Sequence, residues 1–310
     1  MLPSVPYTQW GGPTLICMQG EAMKLLTYSI KGEHFLGAWL GGAVVADLSS
    51  VDDDFPRSMR ALIEYWDDWR ERMPDMIERA GRRSLGEVQI EAPVPIPPRD
   101  ILCVGKNYAD HVNEVKALGY GSIPTHPIVF SKATTTVNRP EAVVDISADP
   151  THTTDYEGEL AVIVGKGGRY IDERDARDHV FGYTLINDVS SRDLQGRHVQ
   201  WFLGKSIDGY APMGPLILIE DPERPIRDWR LQTHVNGELR QDATISQMIF
   251  SVPEIIATIS RYVTLCPGDI IATGTPSGVG AGHEPPVYLR SGDEVRVSID
   301  AIGELVNRFE

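Results

Sequence analysis

Two glutamates, Glu157 and Glu159, stand in the run Asp155-Tyr156-Glu157-Gly158-Glu159-Leu160, directly ahead of the apolar Ala161-Val162-Ile163-Val164. On a strand, residues i and i+2 face the same way, so the two carboxylates emerge side by side, about 7 Å apart along the backbone. They can converge on one cation. The apolar run does not alternate, which predicts a strand covered on both faces. Bare carboxylates there would repel one another and lose hydration, and a divalent metal answers both costs. Asp188 offers a third carboxylate, where the strand-like Gly182-Tyr183-Thr184-Leu185-Ile186-Asn187 gives way to the polar Ser190-Ser191-Arg192-Asp193. Three oxygen donors, with no nearby Cys and no His pair at ligand spacing, describe a hard-cation site for Mg²⁺ or Mn²⁺ before Zn²⁺. The plainer alternative is the wet face of an edge strand, the commoner fate of an alternating acidic pair. The surrounding residues favour the metal.

His111 and Glu114 lie three apart on a helix expected to open near Asn107, hence on one face, where the carboxylate can orient the imidazole. That is half of a base-plus-orienter arrangement, with water as a possible nucleophile. Arg192 suits a substrate carboxylate, Gln195 can donate to an oxo group, and Lys205 can stabilise developing negative charge. Thr273-Gly274-Thr275-Pro276-Ser277-Gly278-Val279-Gly280 supplies a glycine-rich turn whose N–H groups and Thr275 hydroxyl can hold a carboxylate. Its glycine spacing is no dinucleotide fingerprint.

The elements that must position these groups follow from the pattern. Short strands between Lys24 and Leu48 break at Lys31-Gly32-Glu33 and Gly41-Gly42. Leu62, Ile63, Trp66, Trp69 and Met73 recur at helical spacing from about Ser58, and Pro74 breaks that helix and starts a second one ending near Gly81. An aromatic stripe of this kind predicts core. The stiff Ala92-Pro93-Val94-Pro95-Ile96-Pro97-Pro98 marks a boundary between a small N-terminal α/β domain, 23–92, and a main domain, 98–310. Further helices are expected from about Glu173 to His179 and from Pro253 to Leu265, the latter capped by Ser251 with Glu254. Asp293 to Ile299 and Glu304 to Phe309 read as a closing hairpin.

The bulk numbers bound the partners. A formal charge of -15 over 310 residues argues against nucleic acid and against an anionic membrane, so an anionic substrate needs a local positive site. Cys17, Cys103 and Cys266 are odd in number and widely spaced, which fits reduced thiols in a cytoplasmic protein. Residues 1–22 lack a basic n-region and a long apolar core, so they predict no secretory signal but an extension packed on the surface or on a partner subunit, or else Met23 as the natural start.

Six ordered motifs carry a resemblance. Cys-Val-Gly-Lys-Asn-Tyr-Ala-Asp-His from Cys103, Asp-Tyr-Glu-Gly-Glu-Leu from Asp155, Asn-Asp-Val-Ser-Ser-Arg-Asp-Leu-Gln from Asn187, Gly-Lys-Ser from Gly204, Val-Asn-Gly-Glu-Leu-Arg-Gln from Val235 and Thr-Gly-Thr-Pro-Ser-Gly-Val-Gly from Thr273 resemble the fumarylacetoacetate hydrolase family. The resemblance runs from about residue 98 to the end. It implies an α+β, predominantly β fold, a mixed β-sandwich roll, a homodimer, and Mg²⁺ or Mn²⁺ on the counterparts of Glu157, Glu159 and Asp188. It also implies a catalytic pair at His111 and Glu114 on a mobile lid, with Lys205, Arg192, Gln195 and Thr275 at substrate-contacting positions. Tyr108, inside the first motif, joins them as a substrate-binding candidate.

The expected reaction is metal-dependent hydrolysis of a C–C bond in a small 1,3-dioxo acid, an acylpyruvate or a fumarylacetoacetate-like compound. His111 activates water, and the departing electrons collect as an enolate stabilised by the cation and Lys205. The alternative is decarboxylation, isomerisation or dehydration of an oxaloacetate-, hydroxymuconate- or sugar-acid-like substrate at the same site, since fold does not choose. A metal-binding protein without turnover is a third option. Substrate size should depend on the loops 118–127, 196–202 and 281–288, in which His126, His198 and His283 can touch substrate.

Overall fold

The computed structural model of the protein describes residues 22–114 and 122–310. The N-terminal extension and the first part of the 118–127 loop lie outside the described residues.

One sheet of twelve strands has ten of them in the spatial order Gly81–Ser84, Val44–Asp47, Glu33–Trp39, Lys24–Ile30, Ala211–Ile219, Val180–Asn187, Gly158–Val164, Ile270–Ala272, Ile101–Gly105 and Ile128–Lys132, while Gln89–Ile90 pairs with Lys24–Ile30 and Val137–Asn138 with Ala211–Ile219 off that line. Along that order neighbours are antiparallel except Ile270–Ala272 beside Ile101–Gly105, and Val137–Asn138 is also parallel to its partner. A second sheet runs Glu238–Thr244, Arg230–Val235, Glu294–Ile299, Gly303–Phe309 and Val143–Val144, and contains the expected closing hairpin. Strand exceeds helix, as an α+β, predominantly β chain requires.

The strand behind the two glutamates shows why its sequence does not alternate. Leu160, Val162 and Val164 join a core with Leu231, Val235, Val295 and Val297 of the second sheet and Ile255, Ile256 and Ile259 of the helix Val252–Tyr262. Ala161 and Ile163, pointing the other way, join a separate core with Leu62, Ile63, Met73, Met76 and Ile77 from the N-terminal helices. Each face is covered by a different layer, so the whole strand is buried and its run Leu160–Val164 is apolar without alternation.

Those N-terminal helices are three short pieces, Met59–Glu64, Trp66–Trp69 and Met73–Arg79, the last with Pro74 in its first turn. Trp69 is core, and Trp66 meets Phe181 edge-to-face with ring centroids 5.0 Å apart. Strand pairing also crosses the proline-rich stretch, because Lys24 and Leu25 pair with Leu218 and Ile217.

Two helix boundaries differ from the sequence expectation. The helix expected near Asn107 spans Ala109–Glu114, because the Asn107 amide donates to Phe250 O and Thr273 O and accepts from Phe250 N. The capped helix ends at Tyr262 rather than Leu265, since Leu265 pairs through both backbone groups with Gly168. The segment Glu173–His179 is 3₁₀ throughout. Among the described residues, no helix is long and apolar enough to cross a membrane.

Candidate active site

Register brings the acidic groups together. Gly158 pairs with Asn187, Asp188 N donates to Glu157 O at 2.8 Å, and Glu157 N donates to Asn187 Oδ1 at 2.9 Å. The next turn of each chain segment therefore delivers Glu157, Glu159 and Asp188 to one spot, buried, with one carboxylate oxygen from each within 4.8 Å of the others. Cations surround two of the three. Lys205 Nζ lies 2.7 Å from both Glu157 Oε2 and Asp188 Oδ2, and Lys132 Nζ lies 2.8 Å from Asp188 Oδ1. Arg192 spans Asp155 Oδ2 at 2.8 Å and Glu157 Oε1 at 2.5 Å.

Glu159 differs. Its Oε2 accepts from Gly274 N at 2.7 Å, and it makes no ion pair among the described residues. Burial, then Asp188 and Glu157, hold its pKa well above the usual carboxylate value. Burial also works against a charged Glu157, but Lys205 and Arg192 outweigh it and hold that carboxyl below the usual range. Four buried carboxylates, Asp155 included, thus face three buried cations. The fourth acid, Glu159, has no cation of its own and is driven toward its neutral form beside the other two acids. An all-oxygen donor set with an uncompensated carboxylate fits a hard divalent cation held by Glu157, Glu159 and Asp188.

His111 faces this cluster across a cavity of about 430 Å³ including its open mouth. Lining residues include Lys106, His111, Phe130, Gln195, Trp201 and Thr275 along with Glu157, Glu159, Arg192 and Lys205. His111 is buried, with Nδ1 3.4 Å from Glu114 Oε2, and Glu114 Oε1 accepts from Gly278 N at 2.8 Å.

Several expected contacts are claimed within the protein. The glycine-rich turn does hold carboxylates, but they are its own: Gly274 N serves Glu159, Gly278 N serves Glu114, and Gly280 N and Ala281 N serve Asp155. The Thr275 hydroxyl donates to Gly158 O and accepts from Gln241 Nε2, so its side chain closes a wall. Gln195 borders the cavity, with Oε1 3.3 Å from Arg192 Nη1. Tyr108 is buried outside the lining, its hydroxyl without a hydrogen-bond partner. His126, His198 and His283 are not among the lining residues; His283 Nε2 sits 3.2 Å from Arg240 Nη1.

Lys132, Lys106 and Asp155 had no role in the sequence reading. Lys132 ends a strand on the same face as Phe130, whose ring lies 5.2 Å from Lys205 Nζ, and that alternation was the available signal. Asp149 supports the site from behind. Its buried carboxylate accepts from the backbone of Thr151 and Thr153 and from the hydroxyls of Thr151, Thr154 and Ser191, the residue before Arg192. Burial opposes its charge, but these donors prevail and hold its pKa below the ordinary value. Its stabilisation is therefore complete above the unfolded-state pKa and is lost as pH falls through the folded value, below about pH 4. Asp149→Asn should cost about 1–3 kcal/mol at pH 7 and lose less on acidification, as read by urea unfolding across pH.

Comparison with known proteins places this geometry. The family profile described as "Fumarylacetoacetate (FAA) hydrolase C-terminal" matches residues 100–310. The chain is 43% identical over 306 residues to the oxaloacetate tautomerase YisK of Bacillus subtilis, covering 93% of this chain and all of that one. It is 38% identical over 298 residues to the mitochondrial oxaloacetate tautomerase FAHD2B of Bos taurus, covering 92% and 91%. Among solved structures it is similar to the maleylpyruvate hydrolase of Sphingobium sp. SYK-6 in complex with manganese (II) ion and pyruvate, with a TM-score of 0.75, 30% identity and coverage of 93% and 98%. On the profile match and these near full-length likenesses, the chain belongs to the fumarylacetoacetate hydrolase family.

Proposed function

We propose that the protein interconverts the enol and keto forms of oxaloacetate or a closely similar 2-oxo dicarboxylate. Hydrolysis came first in the sequence reading and isomerisation second. Likeness to two oxaloacetate tautomerases along nearly the whole chain supports the opposite order. The observation that carries the proposal is the lining of the cavity, in which His111 is the one imidazole, set beside the cations Arg192 and Lys205. Tautomerisation asks for one such group, because a single proton leaves oxygen and a single proton arrives at carbon.

The roles follow from the contacts. His111 keeps Nδ1–H toward Glu114, which leaves Nε2 to take the enol hydroxyl proton and pass it to C3, or to carry it from C3 back to oxygen in reverse. Arg192 is anchored by Asp155 and Glu157, and its buried Nη2 has no hydrogen-bond partner, so it can take a substrate carboxylate oxygen. Lys205, held by Glu157 and Asp188, disperses charge growing on the C2 oxygen. Burial opposes its charge, but Asp188 and Glu157 keep the ammonium above lysine's usual pKa, so it stays a cation. When bound by Glu157, Glu159 and Asp188, Mg²⁺ or Mn²⁺ supplies Lewis acidity to the same oxygen; manganese in the maleylpyruvate hydrolase relative supports that assignment.

The test separates two chemistries in one cuvette. Enol-oxaloacetate absorbs in the near ultraviolet, and the purified protein with Mg²⁺ should speed its decay without releasing pyruvate to a coupled lactate dehydrogenase. Pyruvate formed in step with the absorbance loss would instead mark C–C cleavage, of oxaloacetate by decarboxylation or of an acylpyruvate by hydrolysis.

A further inference from the structure

We propose that the tight turn at Val279–Gly282 is a seat built for the Glu114 carboxylate, with Gly282 and Asp155 as positioning residues of the acid–base pair. The proposal rests on the acid–base role given above to His111. Gly282 provides the space. A Cβ built there would lie 2.2 Å from Glu114 Cδ and Oε1 and 2.3 Å from Cγ, and these are the three atoms nearest to it. Its backbone lies outside the left-handed region, so conformation does not demand glycine. What a side chain at 282 would collide with is Glu114.

Gly278 provides the hydrogen bond. Its φ of +105° turns N–H toward Glu114 Oε1, and a Cβ there would meet Arg240 O at 1.8 Å. Two side chains fix the turn from beneath. The Tyr156 hydroxyl donates to Gly278 O at 2.7 Å. Asp155 accepts from Gly280 N at 2.7 Å and Ala281 N at 2.9 Å, and the same carboxylate takes Arg192 Nε at 2.8 Å. One buried acid therefore sets the height of the Glu114 seat and the place of the arginine across the cavity. The imidazole and the anchoring guanidinium are held to a common reference, the kind of spacing in which a 1 Å error costs about 10²-fold.

The experiment is a double-mutant cycle on the metal-loaded protein, read by enol-oxaloacetate decay and, independently of any substrate, by hydrogen exchange at the Gly278 amide. Gly282→Ala displaces only the flexible end of Glu114, so the variant should fold and lose about 10–10²-fold in kcat. In a Glu114→Ala background the same change should cost nothing further. The Gly278 amide, protected in the parent, should exchange equally fast in Glu114→Ala and Gly282→Ala. Equal losses from Gly282→Ala in both backgrounds, or undiminished protection of Gly278 in that variant, would overturn the seat. Asp155→Asn should expose the amides of 278, 280 and 281 together, and intact protection at Gly278 would strike Asp155 from the proposal. A parent protein inactive on the enol but with the expected exchange pattern would sink the tautomerase assignment and leave the seat standing.

Discussion

His111→Ala protein should keep its fold and its divalent-cation affinity while losing about 10²–10⁴-fold in kcat/KM for enol-oxaloacetate. The side chain stands apart from the Glu157–Glu159–Asp188 cluster, so its removal takes no oxygen from the cation. Arg192 and Lys205 are locked in ion pairs as cations, and Glu157 is ionised between them. Titration calorimetry with Mn²⁺ beside steady-state kinetics gives the check. Turnover within threefold of the parent would put the proton on another group, and loss of cation binding together with turnover would make the imidazole part of the metal site. Glu114→Gln should fall between parent and His111→Ala, because an amide still fills the seat but orients the ring less firmly.

Lys132→Met is the second large effect, and it acts on stability. The ammonium is fully buried against Asp188 Oδ1 and Val189 O. Burial lowers its pKa and Asp188 pulls the other way. Methionine fills similar volume without charge, so the site would hold four carboxylates against two cations. Breaking a buried pair from one side typically costs about 3–5 kcal/mol, and urea unfolding of the cation-free protein should show a loss of that order. Saturating Mg²⁺ should restore part of it by binding only the folded form. A loss under 1 kcal/mol would mean that Lys205 alone satisfies Asp188.

The acidic triad was legible because it depends on local rules. Period two puts Glu157 and Glu159 on one side, and the end of an apolar run marks Asp188. Lys132 was not, since its strand sits at the far edge of the sheet and reaches Asp188 only through tertiary packing. The partners of Thr275 and the burial of Tyr108 were hidden for a related reason. Sequence tells that a hydroxyl exists, not that Gln241 has claimed one or that burial has hidden the other. The order of functions was not legible for a chemical reason: the same histidine, lysine and acids can activate water or move a proton, and it is the likeness to the tautomerases that favours the second reading.

The proline-rich stretch at 92–98 suggested two separable pieces, and the pairing of Lys24 and Leu25 with the Ala211–Ile219 strand has a consequence for that division. Residues 22–92 act as a coat sewn to the fabric it covers. Trimmed away, they would bare an unpaired strand edge together with the apolar side of Ala161 and Ile163, a surface made for aggregation rather than solution. The outer side of that coat is free of the fabric, but its lining is bound to the carboxylate strand beneath.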